Sequence, residues 1–131
     1  MDATSPALDD ADLTAADVAW DLEPLLNGRT AEDLVGESEQ LIDQIESYRG
    51  RIGDLDADGL ATLMRLIADV QDLQGRAAYH AMLRMSENTL DPERGAAMMA
   101  VQERLTPLAT RLVFVELEWA AVDESHVDAL L

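Results

Sequence analysis

The chain has 131 residues, of which 27 are acidic and nine are arginine, and it contains neither lysine nor cysteine. Its formal net charge of −18 at pH 7 excludes nucleic acids and anionic membrane surfaces as partners, because like charges repel. Without cysteine the chain has no disulfide and no thiolate site, and its length fits one domain with a modest core.

Residues 1–19 are rich in Asp, Ala, Thr and Ser. They offer too little apolar surface to offset the entropy lost on ordering, so we predict a flexible acidic tail. Residues 20–131 are predicted to form the helical domain. Its first segment, Trp20 to Leu26, is compact and apolar, and we expect it to dock on the helices that follow.

The first long helix is predicted to begin after Thr30, a good N-cap, with Glu32 and Asp33 in the first turn, where the helix dipole favours negative charge. We expect this helix to end near Gly50 or Gly53. Its inward stripe repeats at spacings of three and four, as in an amphipathic helix. The stripe consists of Leu34, Ser38, Leu41, Ile45, Tyr48 and Ile52.

The second long helix is predicted to be capped by Asp56 or Asp58 and to run to about Met85. Gly75 lies inside it and costs about 1 kcal/mol relative to alanine, which does not break the pattern. The inward stripe of this helix consists of Leu60, Leu63, Ile67, Val70, Gln74, Ala77 and Ala81.

The third helix is predicted to have Asp91 as its N-cap and Pro92 at its first position. Pro107 removes one helical hydrogen bond, but the stripe keeps its phase across it, so we predict one kinked helix and not two helices. The stripe consists of Met98, Val101, Leu105, Leu108, Leu112, Val115, Trp119 and Val122.

A fourth helix is expected to start at Asp123 or Ser125, with Val127, Leu130 and Leu131 on one of its faces. The chain stops there without a helix C-cap, which we interpret as a sign of a longer parent protein. The predicted fold is therefore all-α. It is an elongated antiparallel bundle of three long helices, with a short docked N-terminal segment and the start of a fourth helix.

One candidate metal site lies between the first two long helices. Asp54, Asp56, Asp58 and Gly59 reproduce the first six positions of a calcium-binding EF-hand loop. The twelfth position, where the loop needs a bidentate glutamate, is Arg65. The alternative interpretation is a turn whose aspartates cap the second helix, and we assign no metal ligand here.

The other candidate residues have structural interpretations. His80 is interpreted as a polar residue beside the helix interface, and His126 as a solvated residue in a first helical turn. Glu116 and Glu118 are two positions apart and point in different directions on a helix, which argues against an acid–base pair. We expect Glu116 to line an interior polar site and Glu118 to face water.

Four methionines cluster around the bend between the second and third helices. They are Met82, Met85, Met98 and Met99. We interpret them as core filler, with an adaptable binding surface as the alternative. No residue of the chain is assigned a catalytic, cofactor-binding or metal-binding role.

Four segments occur in an order that resembles the amino-terminal part of an oligoendopeptidase F-type, thimet oligopeptidase-like zinc metallopeptidase. The resemblance covers about residues 20–131. Its segments are WDLEPLL at Trp20 to Leu26, AAYHAML around Tyr79, SENTLDPE at Ser86 to Glu93, and FVELEWAAVDE at Phe114 to Glu124.

This resemblance implies an almost wholly helical fold whose first helices form the wall or roof of a deep channel that admits short peptides. In such enzymes the zinc ligands and the general-base glutamate lie far downstream. The motif H-E-x-x-H does not occur in these 131 residues. We therefore expect an inactive segment whose partners are the remainder of the parent peptidase and, in the parent, zinc and short peptides.

Another interpretation is a stand-alone acidic helical module without enzymatic activity, which binds a partner helix or forms a homodimer through exposed apolar surface. The acidity also has two interpretations, solubility and adaptation to high salt, where ions screen the repulsion. The first residues carry acids and no apolar run reaches membrane-spanning length, so we expect a cytoplasmic chain.

Overall fold

The computed structural model describes residues 20–131, and the predicted acidic tail, residues 1–19, lies outside the described residues. Within residues 20–131 every regular element is helical and none is a strand, which confirms the predicted all-α class. A 3-10 helix spans Ile52–Asp54. The α-helices are α1 (Glu23–Leu26), α2 (Ala31–Glu46), α3 (Ala57–Glu87), α4 (Pro92–Arg111), α5 (Val113–Ala120) and α6 (Glu124–Leu130).

Helix α2 begins with a reciprocal capping box. The Thr30 hydroxyl accepts a hydrogen bond from the Asp33 N–H, and the Asp33 carboxylate accepts one from the Thr30 N–H, both at 3.1 Å. The backbone hydrogen bond from Thr30 is the main reason why the pKa of Asp33 lies below its usual value. The predicted cap at Thr30 is confirmed.

Helix α2 ends at Glu46, so the predicted end near Gly50 or Gly53 was too late. Beyond Glu46 the chain continues as tight turns to Gly50, whose φ of +80° is incompatible with a right-handed helix. The guanidinium of Arg51 donates to the Ser47 carbonyl at 2.7 Å, satisfying one of the carbonyls left free at the helix end.

Helix α3 is a single helix of 31 residues and therefore about 46 Å long. Its N-cap is Asp56, whose carboxylate accepts a hydrogen bond from the Gly59 N–H at 2.7 Å. Gly75 lies inside the helix without interrupting it. Both predictions for this element are confirmed, and α3 provides the longest surface on which the other helices pack.

The core lies along the contact between α2 and α3. One polar pair occurs within it: Gln74 donates to the hydroxyl of the fully buried Ser38 at 3.2 Å, and that hydroxyl donates to the Val35 carbonyl at 2.7 Å. These bonds offset the cost of burying a hydroxyl. The most deeply buried apolar side chains are Leu34, Val35, Ile42, Ile45, Ile52, Leu63, Val70 and Ala77.

The predicted third helix is divided into α4 and α5 at Leu112, so the prediction of one kinked helix was wrong. The break does not fall at Pro107, which α4 includes. At Leu112 the hydrogen bonds shorten to three-residue spacing, from Leu112 N–H to Ala109 and from Val115 N–H to Leu112. Leu112 keeps a right-handed helical backbone, but beyond the break the buried residue of α5 is Phe114, which lies outside the predicted stripe, and the stripe residue Trp119 is 37% exposed.

Arg111 joins the end of α4 to the end of α2. Its guanidinium donates two hydrogen bonds to the Glu46 carboxylate, at 2.9 and 2.8 Å, and a third to Asp43 at 2.5 Å. Bidentate arginine–carboxylate pairs are directional as well as strong. The hydrogen bonds from Arg111 lower the pKa of Glu46, and these carboxylates in turn raise the pKa of Arg111.

The short α1 docks near the far end of α3, as predicted for the first apolar segment. Arg76 donates to the Leu25 carbonyl at 2.8 Å, and the Trp20 N–H donates to the Glu87 carboxylate at 2.8 Å. Leu26, the last residue of α1, is buried.

Truncation of Ile45 tests the core. Ile45→Ala is expected to lower the free energy of unfolding by about 2–5 kcal/mol, because the side chain is fully buried and its removal leaves a cavity. The matched control is Leu90→Ala, at a residue that is 91% exposed, with an expected change within about 0.5 kcal/mol. Urea denaturation measures both, and equal midpoints would contradict the assigned core.

The ion pair between Arg111 and Glu46 predicts a pH-dependent stability. Because folding lowers the pKa of Glu46 from 4.5, the pair contributes stability above pH 4.5 that is lost as the pH falls through the lowered pKa. Glu46→Gln is therefore expected to lower the Tm by a few degrees at about pH 7 and not at about pH 2.

The control for this comparison is Glu103→Gln on α4, since Glu103 is exposed and forms no ion pair within residues 20–131. Thermal melts at both pH values measure the difference from the unchanged chain. A decrease in Tm caused by Glu46→Gln that is equally large at the acidic pH would contradict a stabilising ion pair between Arg111 and Glu46.

Candidate functional site

An apolar groove runs between the first half of α3 and α5, and we call it the α3–α5 groove. Its volume is about 460 Å³. Only one of its lining residues, Glu116, is charged. The residues that line it are Ile52, Leu60, Leu63, Met64, Ile67, Val115, Glu116, Trp119 and Leu131.

Helix α5 borders the groove with Val115, Glu116 and Trp119, and its other apolar side chains point in several directions. Phe114 is buried, with the Arg49 guanidinium 4.2 Å from its ring centroid. Val113, Leu117 and Trp119 remain 47%, 67% and 37% exposed. Val113 and Leu117 lie outside the groove, so within residues 20–131 α5 has exposed apolar side chains both in the groove and beside it.

The segments that form the groove are strongly acidic. Residues 56–69 and 113–131 contain eight acidic residues and one arginine, Arg65. Asp56 precedes the groove residue Leu60 by about one helical turn, and Glu116 lines the groove itself. The acidic residues are Asp56, Asp58, Asp69, Glu116, Glu118, Asp123, Glu124 and Asp128. The result is an apolar surface beside negative charge.

Two of these carboxylates occupy positions different from those predicted. Glu118 was expected to face water, but it is half-buried, and its two oxygens accept the Gly50 N–H at 2.8 and 3.0 Å. Glu116 was expected to line an interior polar site, but it is exposed at the apolar groove. Sequence spacing could not reveal these positions, because they depend on where the turn at Gly50 meets α5.

The aspartates of the EF-hand-like segment lie in different elements. Asp54 belongs to the 3-10 helix, while Asp56 caps α3 with its carboxylate. Arg65 lies exposed on α3. Within residues 20–131, no three His, Asp or Glu side chains lie close enough together to hold a metal ion. The capping interpretation is confirmed for Asp56.

The two histidines lie in different surroundings. His80 is half-buried in a second pocket, between the start of α2 and the α3–α4 turn, and burial lowers its pKa, with a smaller effect from Arg84. His126 was predicted to be solvated, but its ring Nε2 lies 3.1 Å from the Leu55 carbonyl oxygen. That prediction was wrong because α6 folds back on the segment that precedes α3.

The methionines divide between core and surface. Met98 packs against the core, as expected for core filler. Met99 is 62% exposed and Met82 is also exposed, so the core-filler interpretation was wrong for these two. Met82 and Met98 border, together with Tyr79, a pocket of about 110 Å³, which is much smaller than the α3–α5 groove.

Comparison of the chain with models of protein families, with curated proteins and with solved structures finds no match. The resemblance to oligoendopeptidases therefore stays a prediction from the four quoted segments. Among residues 20–131, no helix combines the length and apolar character needed to cross a lipid bilayer.

Substitution of Met64 tests whether the groove is open. Met64 lines it and is 56% exposed, so Met64→Glu should leave helicity unchanged but place a charge in the apolar surface. We expect the fluorescence of the neutral dye Nile red bound to the chain to fall several-fold. Leu90→Glu adds the same charge outside the groove and should have no such effect; equal dye binding by both variants would contradict an open groove.

Proposed function

We propose that the chain is an amino-terminal, non-catalytic segment of a zinc-dependent oligoendopeptidase that hydrolyses short peptides. In this proposal its helices form part of the wall that limits access to the substrate channel. The remainder of the parent protein supplies the zinc ligands and the general base, and the proposed location is the cytoplasm.

The observation that carries the proposal is the exposed apolar side of α5. The last of the four family-like segments, Phe114 to Glu124, contains most of this helix. A scaffold segment needs a surface on which the rest of the enzyme packs, and the α3–α5 groove has the apolar character of such a surface.

The other family-like segments have structural roles, which agree with a scaffold. The SENTLDPE segment forms the turn from α3 to α4, where Asp91 accepts a hydrogen bond from the Glu93 N–H at 2.9 Å. In the same turn Glu87 forms an ion pair with Arg94 at 3.2 Å. The WDLEPLL segment forms α1 and its contacts with α3.

The described residues do not fit a catalytic zinc site. Zinc enzymes of this type need two histidines one helical turn apart and an adjacent glutamate. His80 and His126 lie on different helices, and no three ligand-type side chains within residues 20–131 form a group around one point. We therefore assign no step of peptide hydrolysis to this chain.

The test reads the coding sequence around this segment and assays two products, the 131-residue chain and the longer polypeptide. We expect an in-frame H-E-x-x-H helix downstream. We also expect chelator-sensitive cleavage of quenched fluorescent peptides by the longer product alone. Zinc-supplemented 131-residue chain is the control and should not cleave them.

Two outcomes would contradict this proposal. Chelator-sensitive cleavage by the 131-residue chain itself would show that it contains a catalytic site. A coding sequence without an H-E-x-x-H helix would contradict the proposed parent peptidase and favour the stand-alone interaction module.

A further inference from the structure

We propose that the α3–α5 groove binds an amphipathic helix that has bulky aliphatic side chains on one face and Lys or Arg residues beside that face. The helix comes from outside these 131 residues. The inference rests on the proposed function, because it names the chemistry of the partner that covers the same surface.

The shape of the groove suits a helix. On α3 the lining residues Leu60, Met64 and Ile67 are spaced by four and three positions, and on α5 Val115 and Trp119 are spaced by four. Two such rows present side chains at intervals of one helical turn. A partner helix with apolar residues at positions i, i+3, i+4 and i+7 matches these intervals.

The chemistry of the lining favours bulky aliphatic side chains. Trp119 offers a large, rigid contact area, and tryptophan is frequent among residues that dominate binding energy. Met64 is flexible and adapts to the shape of an apolar partner. Both side chains are exposed, so a bound helix would remove their surface from water.

Charge identifies the residues beside the apolar face of the partner. Glu116 lines the groove, no Lys or Arg does, and the whole chain carries a net charge of −18. Lys and Arg side chains on the partner would lie over the apolar rim while their charged groups reach Glu116 and the acidic surface of the chain. A second copy of this chain would instead bring like charges together, which argues against a homodimer at this surface.

The experiment uses two synthetic helical peptides with identical Leu and Ile faces, one flanked by lysine and the other by glutamate. Binding to the full chain is followed by Trp119 fluorescence in a Trp20→Phe variant, since the chain has only two tryptophans. We expect a blue shift and at least about tenfold tighter binding of the lysine peptide at low salt. The advantage should shrink as sodium chloride is added.

Matched variants locate the contact. Met64→Ser is expected to weaken binding of the lysine peptide about tenfold, because it removes apolar contact area without adding a charge that attracts lysine, whereas Leu90→Ser at an exposed turn should not weaken it. Circular dichroism confirms that each variant is folded. Val115→Ser probes the α5 side of the groove independently if Met64→Ser unfolds the chain.

Equal affinity for the lysine and glutamate peptides would overturn the inference, as would binding that neither groove variant reduces. A concentration-dependent dimer that Met64→Ser abolishes would identify a second copy as the occupant and would also overturn it. These peptide measurements do not depend on the presence of an H-E-x-x-H helix, so failure here is distinguishable from failure of the proposed peptidase role.

Discussion

The packing of α2 along α3 is the contact on which the other elements depend. The deepest apolar side chains belong to these two helices and to the turn between them, including Ile42, Leu63 and the 3-10 residue Ile52. The pair of Ser38 and Gln74 is a polar contact inside this interface, and it has hydrogen bonds that favour one register of the two helices. Helix α1 packs on α3, and helix α4 packs on both α2 and α3.

The direction of α5 follows from two polar contacts with the end of α2. Arg111 binds Glu46 just before the break at Leu112, and Glu118 binds the Gly50 N–H after it. Helix α5 is thereby placed against the turn that follows α2, and its outer side is left without a neighbour in the described part of the chain. The side of α5 that carries Val115 and Trp119 borders the α3–α5 groove.

Local signals in the sequence were sufficient for much of the fold. Thr30, Asp56 and Asp91 cap helices through bonds to residues two or three positions away, and such bonds depend only on nearby sequence. The contacts of Glu118 and His126 could not be predicted, because they join residues far apart in the chain, and the break at Leu112 has no proline or glycine to mark it. The apolar character of α5 can be read from its sequence, VFVELEWA, which is apolar on nearly all sides. Which of these side chains are exposed could be known only from the structure.

The proposed contact surface for a partner helix is the α3–α5 groove, which Trp119 lines. Acrylamide quenching of Trp119 in a Trp20→Phe background tests this proposal, because acrylamide is neutral and unaffected by the net charge of −18. We expect Trp119 to be quenched readily in the 131-residue chain and to be protected in the proposed longer polypeptide. Equal quenching in both would contradict it.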